Sequence, residues 1–139
     1  MVRRLALGLL VAGIAVSVAA CGILGGGNDL TGKTWKWQAA TTSVPASQSV
    51  VPDPENYTIT FAADGKYAGK ADCNQVAGEY TVSGSSLTIK PGVSTMAACA
   101  DTSLDQLFLA GLASVTTYKV DGAKLTLTNA AGDTMTFGS

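Results

Sequence analysis

The stretch that decides the fold is "YTITFAADGKYAGKA", residues 57–71. In its first half, apolar side chains alternate with threonine, at Tyr57, Ile59 and Phe61. This period of two is typical of a strand with one buried face. Asp64-Gly65 follows, a dipeptide that favours a tight hairpin turn, and the chain resumes a strand pattern at Lys66. The stretch therefore predicts a β-hairpin whose first strand packs against the core.

Short strands and turns recur on both sides of this hairpin. Before it, Trp35 and Trp37 share one face of a predicted strand. Between Thr41 and Asn56, three prolines and several serines predict an irregular segment, because proline lacks the amide donor of a central strand. After the hairpin, strands are predicted at 79–82, 87–90, 116–120, 124–128 and 134–137. The pattern predicts a mainly β domain with a small antiparallel sheet, strongly curved or barrel-like.

One segment has helical periodicity, "ADTSLDQLFLAGLAS" at residues 100–114. Its apolar residues recur on a stripe that we expect to face the core: Leu104, Leu107, Phe108, Gly111 and Leu112. Asp101 or Thr102 is expected to cap the first free amides, and Asp105 complements the helix dipole. The β-branched run that begins at Val115 is expected to end the helix. The domain is therefore predicted to contain one helix.

The N-terminal residues have the pattern of a secretory signal. Arg3 and Arg4 precede an uncharged apolar run that is short for a membrane span, which needs about 20 apolar residues. The run ends in Val18-Ala19-Ala20-Cys21, which resembles the lipobox of bacterial lipoproteins. This resemblance predicts cleavage before Cys21 and a lipid on its thiol. An uncleaved N-terminal anchor and an ordinary secretory signal remain as alternatives.

These features predict how the chain is organised and where the protein resides. The expected parts are a lipoprotein signal peptide over residues 1–20, a glycine-rich tether over 21–29 and a single domain over 30–139. The protein is expected to be exported and anchored by its lipid to the cell membrane or the outer membrane. We also expect it to be a monomer.

Composition excludes several kinds of chemistry. The chain has 9 Lys+Arg against 10 Asp+Glu, with no basic stripe, so we expect no nucleic-acid partner. It contains no histidine, which rules out Ser-His-Asp and Cys-His catalysis and leaves two thiols without the ligands of a zinc site. The carboxylate pairs Asp53/Glu55 and Asp101/Asp105 are expected in solvated and helix-capping roles. We therefore predict no catalytic residues, no metal and no cofactor.

Two cysteines, Cys73 and Cys99, lie inside the predicted domain. An exported chain meets an oxidising compartment, so we predict that they form a disulfide. The closed loop of about 27 residues would stabilise the fold by roughly 3 to 4 kcal/mol in the chain-entropy model. Two buried free thiols remain the alternative.

Several motifs together resemble the META domain family, which includes the HslJ-like lipoproteins. They are "LTGKTWKW" at 30–37, "FAADGKYAGKADCNQVAGEY" at 61–80, "STMAAC" at 94–99 and the leucine-rich helix before a closing hairpin. The resemblance covers nearly all of the chain after the tether. One departure is Asp72, which stands where the family often has a glycine before its Cys-Asn pair.

The resemblance implies a single small antiparallel β domain with one helix, and it brings no established catalytic residues. Asn74, in the Cys-Asn pair, is expected to be a structural residue that bonds the turn backbone. The family is associated with stress response, envelope physiology and antibiotic tolerance. We therefore expect a non-catalytic envelope lipoprotein that acts through contacts with another envelope protein. The alternative is a barrel that binds a small apolar ligand.

Overall fold

The computed structural model describes residues 29–139, which form nine strands, one α-helix and a short 3-10 helix at Pro54–Asn56. The strands are β1 (Thr34–Ser43), β2 (Ala46–Val50), β3 (Tyr57–Phe61), β4 (Lys66–Ala71), β5 (Asn74–Ser83), β6 (Ser86–Ser94), β7 (Val115–Asp121), β8 (Lys124–Asn129) and β9 (Thr134–Gly138). The helix, α1, spans Asp105–Ser114 and connects β6 to β7. Among these residues, no helix has both the length and the apolar character needed to cross a bilayer.

The strands form one antiparallel sheet that curves into a ring. Neighbours follow the order β2-β1-β3-β4-β5-β6-β7-β8-β9, and β1 also pairs with β9. The first half of β1 lies beside β3, with Trp35 opposite Ile59, whereas its second half lies beside β2, with Thr41 opposite Gln48. The prediction of a mainly β, strongly curved antiparallel sheet with one helix is therefore confirmed.

Side chains fill the interior of the ring. Both tryptophans of β1 are buried, as their alternation predicts, and so are Tyr57, Ile59 and Phe61 of β3. Phe108 of α1 packs its ring 5.5 Å from that of Trp37 and 5.7 Å from that of Tyr57, centroid to centroid. The helix therefore closes one end of the ring with an aromatic cluster.

The hydrophobic core of the described residues lies between Leu30 and Phe137. The strand pairing that closes the ring, between β1 and β9, and the bond from Cys73 to Cys99 also lie within this part of the chain. No buried side-chain nitrogen or oxygen among residues 29–139 lacks a hydrogen-bond partner. Residues 29–139 therefore form a self-contained folding unit.

The segment from Thr41 to Asn56 is not irregular, as its prolines predict, but forms most of a hairpin. β1 continues to Ser43, and β2 returns beside it from Ala46. Pro45 lies in the turn, while the other two prolines follow β2 at positions 52 and 54. None of the three occupies a position in the β1–β2 ladder, so the hairpin loses no amide donor to proline.

β6 continues through Pro91-Gly92, beyond the predicted end of this strand. The register shifts between Ala77 and Gly78, where Gly78 pairs with Pro91 and Ala77 with Val93. This bulge lets the two glycine backbones approach closely, since a Cβ on Gly92 would stand 2.9 Å from the Cα of Gly78. Proline is tolerated here because a bulge interrupts the ladder.

The helix begins later than its sequence predicts, and its cap is different. Neither Asp101 nor Thr102 caps it: both lie in a turn before the first helical residue, Asp105. The amide of Asp105 instead donates to Ser103 Oγ at 3.2 Å, and the amide of Leu104 donates to the Tyr57 hydroxyl at 2.8 Å. A hydroxyl of β3 thus takes part of the role that the sequence assigns to a local side chain.

The strands alternate in direction, so their connections lie at two opposite ends of the ring. The entry end contains Leu30, where the described chain enters the sheet, and tight turns with glycines of positive φ at 65, 84 and 122. The helix end contains the longer connections, including the 3-10 helix, the segment 95–104, α1 and the β8–β9 turn. The two ends differ in charge and in packing, and these differences define the candidate site.

Candidate functional site

The cysteine pair predicted from the sequence is present as a disulfide. Cys73 lies in the turn between β4 and β5, Cys99 lies in the segment before α1, and their Cα atoms are 5.6 Å apart. The bond therefore fixes the connection to the helix against the sheet. Cys21, the predicted lipidation site, lies outside the described residues, as do the predicted signal peptide and nearly all of the tether.

Asn74 is buried beside this disulfide and uses both ends of its amide. Its Oδ1 accepts bonds from the Ala97 amide and from Thr95 Oγ1, each at 2.9 Å. Its Nδ2 donates to the Ala97 carbonyl at 3.1 Å. Asn74 therefore anchors residues 95–97 to the start of β5, and its contacts are those of a structural residue.

Asp72, the departure from the family glycine, has a φ of +57°. This is the left-handed region, which glycine adopts freely and which aspartate tolerates better than most residues. The Asp72 amide donates to the Asn56 carbonyl at 2.7 Å, which ties the β4–β5 turn to the 3-10 helix. The turn geometry that suits glycine is therefore retained with aspartate in its place.

The helix end also contains an apolar groove, which we call the helix groove. It has a volume of about 250 Å³ and lies between α1 and the strands β1, β8 and β9. Trp37, Leu127 and Met135 line it from the sheet, and Leu107 and Gly111 line it from the helix. The predicted core position of Leu107 is wrong: its side chain is 55 % exposed at the edge of the groove.

The helix lies close to the sheet here because residue 111 is a glycine. A Cβ at this position would lie 2.5 Å from Met135 Sδ, well inside a normal contact. Gly111 therefore belongs to the helix groove through backbone proximity, although the sequence placed it on a core-facing stripe. Met135, which it faces, is buried in the sheet.

One carboxylate, Asp133, lies at the polar edge of the helix groove. Its Oδ1 accepts bonds from the Ser43 amide at 2.9 Å and the Ser43 hydroxyl at 3.2 Å. Its Oδ2 accepts a bond from Asn129 Nδ2 at 3.1 Å. The bond from the Ser43 amide, followed by that from Asn129, holds the pKa of Asp133 below its usual range. Asp133 is therefore ionised at neutral pH and holds the β1–β2 hairpin to the β8–β9 turn.

Charge is distributed unevenly between the two ends. Six carboxylates lie at the helix end: Asp53, Glu55, Asp72, Asp101, Asp105 and Asp133. Near them, Lys36 contacts Glu55 at 2.7 Å, and Lys70 donates to Asn56 Oδ1 at 2.8 Å. At the entry end, charges of both signs are mixed: Asp29, Lys33, Asp64, Lys66, Lys119, Asp121 and Lys124. The helix end is therefore the acidic end of the domain.

Lysine and tyrosine side chains cover the entry end. Lys33 lies 5.3 Å from the centre of the Trp35 ring and donates to the Gly122 carbonyl at 3.3 Å. The Tyr80 hydroxyl donates to the Ala62 carbonyl in the β3–β4 turn. Burial, with smaller contributions from Asp64 and Tyr118, raises the pKa of Tyr80, so its hydroxyl stays protonated.

The arrangement supports binding better than chemistry. In the described part of the chain, no three cysteine, aspartate or glutamate side chains come together in a metal-binding group. Of the two carboxylate pairs singled out in the sequence, Glu55 contacts Lys36, and Asp105 accepts a bond from Gln106 Nε2 at 3.2 Å. These contacts fit the solvated and helix-terminal roles predicted for them.

Sequence reasoning missed the residues of the helix groove. Ser43 and Asp133 lie 90 positions apart, and no local pattern connects them. The one available signal was the sequence "NAAGD" at 129–133, in which Asn129 Oδ1 accepts the amides of Ala131 and Asp133, as asparagine often does in turns. That signal predicts a turn, but it does not predict what the turn contacts.

Solved structures with a similar fold are known. A protein from Burkholderia xenovorans, determined by NMR, is 21% identical, covers 95% of this chain and 97% of its own, and gives a TM-score of 0.65. A DUF4847 family protein from Bacteroides vulgatus is 17% identical, covers 78% of this chain and 93% of its own, and gives a TM-score of 0.57. At these identities, the likeness establishes the fold alone.

The sequence itself has one informative match. No curated protein matches it. The family model of the META domain matches residues 28–139, which include all of the strands described above, the helix, and the three residues Cys73, Asn74 and Cys99. Because this model spans most of the sequence and the whole of the folded unit, the chain belongs to the META domain family.

Proposed function

We propose that this protein is a non-catalytic, lipid-anchored envelope protein that supports the cell under envelope stress or antibiotic challenge and acts through contacts with another envelope protein. The observation that carries the proposal is the open edge of β2. This strand pairs with β1 on one side, and no other described strand pairs with it. All five of its residues are exposed and none is charged. An uncharged open edge is a suitable site for a strand of a partner protein.

The position of the N-terminal segment supports the same proposal. The chain enters the domain at the entry end, whereas the β1–β2 hairpin extends towards the helix end. The eight residues between Cys21 and Leu30 span at most about 28 Å when extended. A lipid on Cys21 would therefore keep the domain near the membrane and leave the helix end free for contacts with other proteins.

The polar contacts of the domain support a non-catalytic role. Asn74 and Asp133, the side chains with the most extensive hydrogen bonding described above, both hold connections of the chain in place. The sequence has no histidine to activate a serine or cysteine nucleophile. A turnover activity of the purified protein on any envelope substrate would contradict this part of the proposal.

Mass spectrometry of the protein from its native cells tests the anchor. We expect a chain that begins at Cys21 and carries a lipid on the thiol and the new amino terminus. The Cys21→Ser variant should accumulate as an unprocessed precursor. An unmodified thiol, or a mature chain that begins elsewhere, would contradict lipid anchoring while leaving the folded domain unaffected.

Complementation tests the role of the anchor and of β2. Cells that lack the gene should be sensitive to heat or to a membrane-active antibiotic, and the full chain should restore tolerance. An exported soluble domain of equal abundance should restore it only in part. The Gln48→Lys variant should also be defective, because a charge on the edge strand discourages strand pairing. The matched control is Thr81→Lys, an exposed position in the interior strand β5.

The proposal fails if the soluble domain gives full rescue or if the two lysine variants behave alike. Photo-crosslinking from position 48 in cells adds a direct readout, with position 81 as its control. A partner that is captured from position 48 and lost in the soluble form would identify the contact. Equal capture from both positions would exclude a specific role for the β2 edge.

A further inference from the structure

The helix groove has apolar walls that end at a single carboxylate. Trp37, Leu127 and Met135 line it from the sheet, and Leu107 lines it from the helix. Asp133 is the only charged residue among those that line it. A ligand that matches these surfaces must be apolar along most of its length. At one end, it must carry a group that donates hydrogen bonds to a carboxylate.

Asp133 can accept a further hydrogen bond without giving up its structural partners. Its Oδ1 is engaged by the amide and hydroxyl of Ser43, whereas Oδ2 accepts a single bond, from Asn129. A carboxylate offers about four acceptor positions, so Oδ2 retains one of them. Because the pKa of Asp133 is lowered, the negative charge is present at neutral pH. The edge of the helix groove is therefore an ionised acceptor that is already held in place.

The surrounding charges favour a cation over an anion. None of the residues lining the helix groove is a lysine. The two lysines towards this end, Lys36 and Lys70, contact Glu55 and Asn56. Five further carboxylates lie at the same end of the domain. Their combined field raises the local concentration of small cations and lowers that of anions.

We propose that the helix groove binds a small amphiphilic cation, an alkylammonium whose nitrogen donates to Asp133 Oδ2 and whose chain lies against Trp37 and Met135. The groove volume of about 250 Å³ suits a chain of roughly eight carbons. This binding goes beyond the proposed function because it requires neither the lipid anchor nor a protein partner. The apolar ligand site lies beside the helix and not inside the ring, where side chains fill the space.

An NMR titration of residues 29–139 tests the proposal, since this part of the chain folds as a unit. The probes are octylammonium, octanol and octanoate, which share one chain length and differ in charge. Octylammonium should give saturable shifts confined to amides around the helix groove, and it should bind about fivefold or more tightly than octanol. Octanoate should bind more weakly than either.

Two pairs of variants separate the apolar and the charged contributions. Ala110→Phe places a ring in the helix groove and should abolish binding of all three probes. Its control, Ala113→Phe, changes an exposed residue of the same helix that does not line the groove and should leave binding unchanged. Asp133→Asn should remove the preference for octylammonium over octanol but retain octanol binding. Asp101→Asn, a carboxylate outside the groove, should keep the preference.

Several outcomes would overturn the proposal. Octanoate binding as tightly as octylammonium would exclude recognition by Asp133, and shifts that persist in Ala110→Phe would place the probe elsewhere. Shifts of the groove amides that depend on protein concentration without a probe would indicate that a second copy of the chain occupies it. Retained octanol binding by Asp133→Asn ensures that a lost preference is not read from an unfolded variant.

Discussion

The entry end and the helix end of the ring are stabilised in different ways. At the entry end, strands are joined by short turns whose glycines, such as Gly84 and Gly122, adopt positive φ. At the helix end, the connections are longer, and residues distant in sequence hold them: Cys73 bonds Cys99, Asn74 binds residues 95–97, and Asp133 binds Ser43. Local backbone geometry thus determines one end, and long-range contacts determine the other.

This difference has a consequence for function. Tight turns leave little surface that can vary in shape, whereas long connections create grooves and edges between their segments. The helix groove, the acidic charge and the open edge of β2 all belong to the part of the domain that depends on long-range contacts. We therefore expect changes at the helix end to be more disruptive than changes in the entry-end turns.

Removing the disulfide should have the largest effect on this comparison. The Cys73→Ser/Cys99→Ser double variant should lose roughly 3 to 4 kcal/mol of stability, because a closed loop of about 27 residues no longer restricts the unfolded chain. Thermal unfolding measures the loss. Adding a reductant should lower the melting temperature of the parent but not of the double variant. If both thiols of the folded, unreduced parent react readily with an alkylating agent, the bond is absent in solution.

Asn74→Ala should have the next largest effect. It leaves the Ala97 amide and Thr95 without their acceptor, which should lower stability by about 1 to 3 kcal/mol. Urea denaturation gives the value. Gln75→Ala is the matched control, since Gln75 is adjacent and exposed, and its side chain makes none of these bonds. Equal losses in the two variants would contradict the anchoring role of Asn74.

Gly122→Ala should cost less, about 1 kcal/mol, because it affects only local geometry. Residue 122 has a φ of +58°, and a Cβ there would meet nothing within 4 Å, so the cost is backbone strain alone. Gly122→Asn should be milder, because asparagine tolerates this region. Both can be measured by urea denaturation. A loss in Gly122→Ala that exceeds the loss in Asn74→Ala would reverse the comparison between the two ends.

Asp133 should produce the smallest effect, visible as a dependence on pH. Its pKa is lower in the folded state, so its bonds contribute stability above the unfolded pKa, about pH 4, and lose that contribution as the pH falls further. Asp133→Ala should therefore be less stable than the parent at pH 7, and the difference should shrink at pH 3. Urea midpoints at the two pH values measure it. A difference that does not change with pH would exclude this linkage.

The entry end could largely be predicted from the sequence, and the helix end could not. Asp64-Gly65 predicted its hairpin, and the alternation of Trp35 and Trp37 predicted a buried face, because these signals lie within a few residues. The helix cap was missed because the Tyr57 hydroxyl that binds Leu104 comes from another strand. The three prolines predicted an irregular segment because their positions relative to the β1–β2 ladder depend on strand pairing.

The pairing of the first strand with the last has a consequence for folding kinetics. Lys36 pairs with Gly138, about 100 positions later in the chain, so closing the ring requires a contact of very high sequence separation. The entropy of closing so long a loop opposes this contact until the hairpins between β3 and β9 have formed and shortened the effective loop. Ring closure should therefore be a late event in folding. A chain interrupted before β9 would keep its local hairpins but would expose the edges of β1 and β8 to association with other chains.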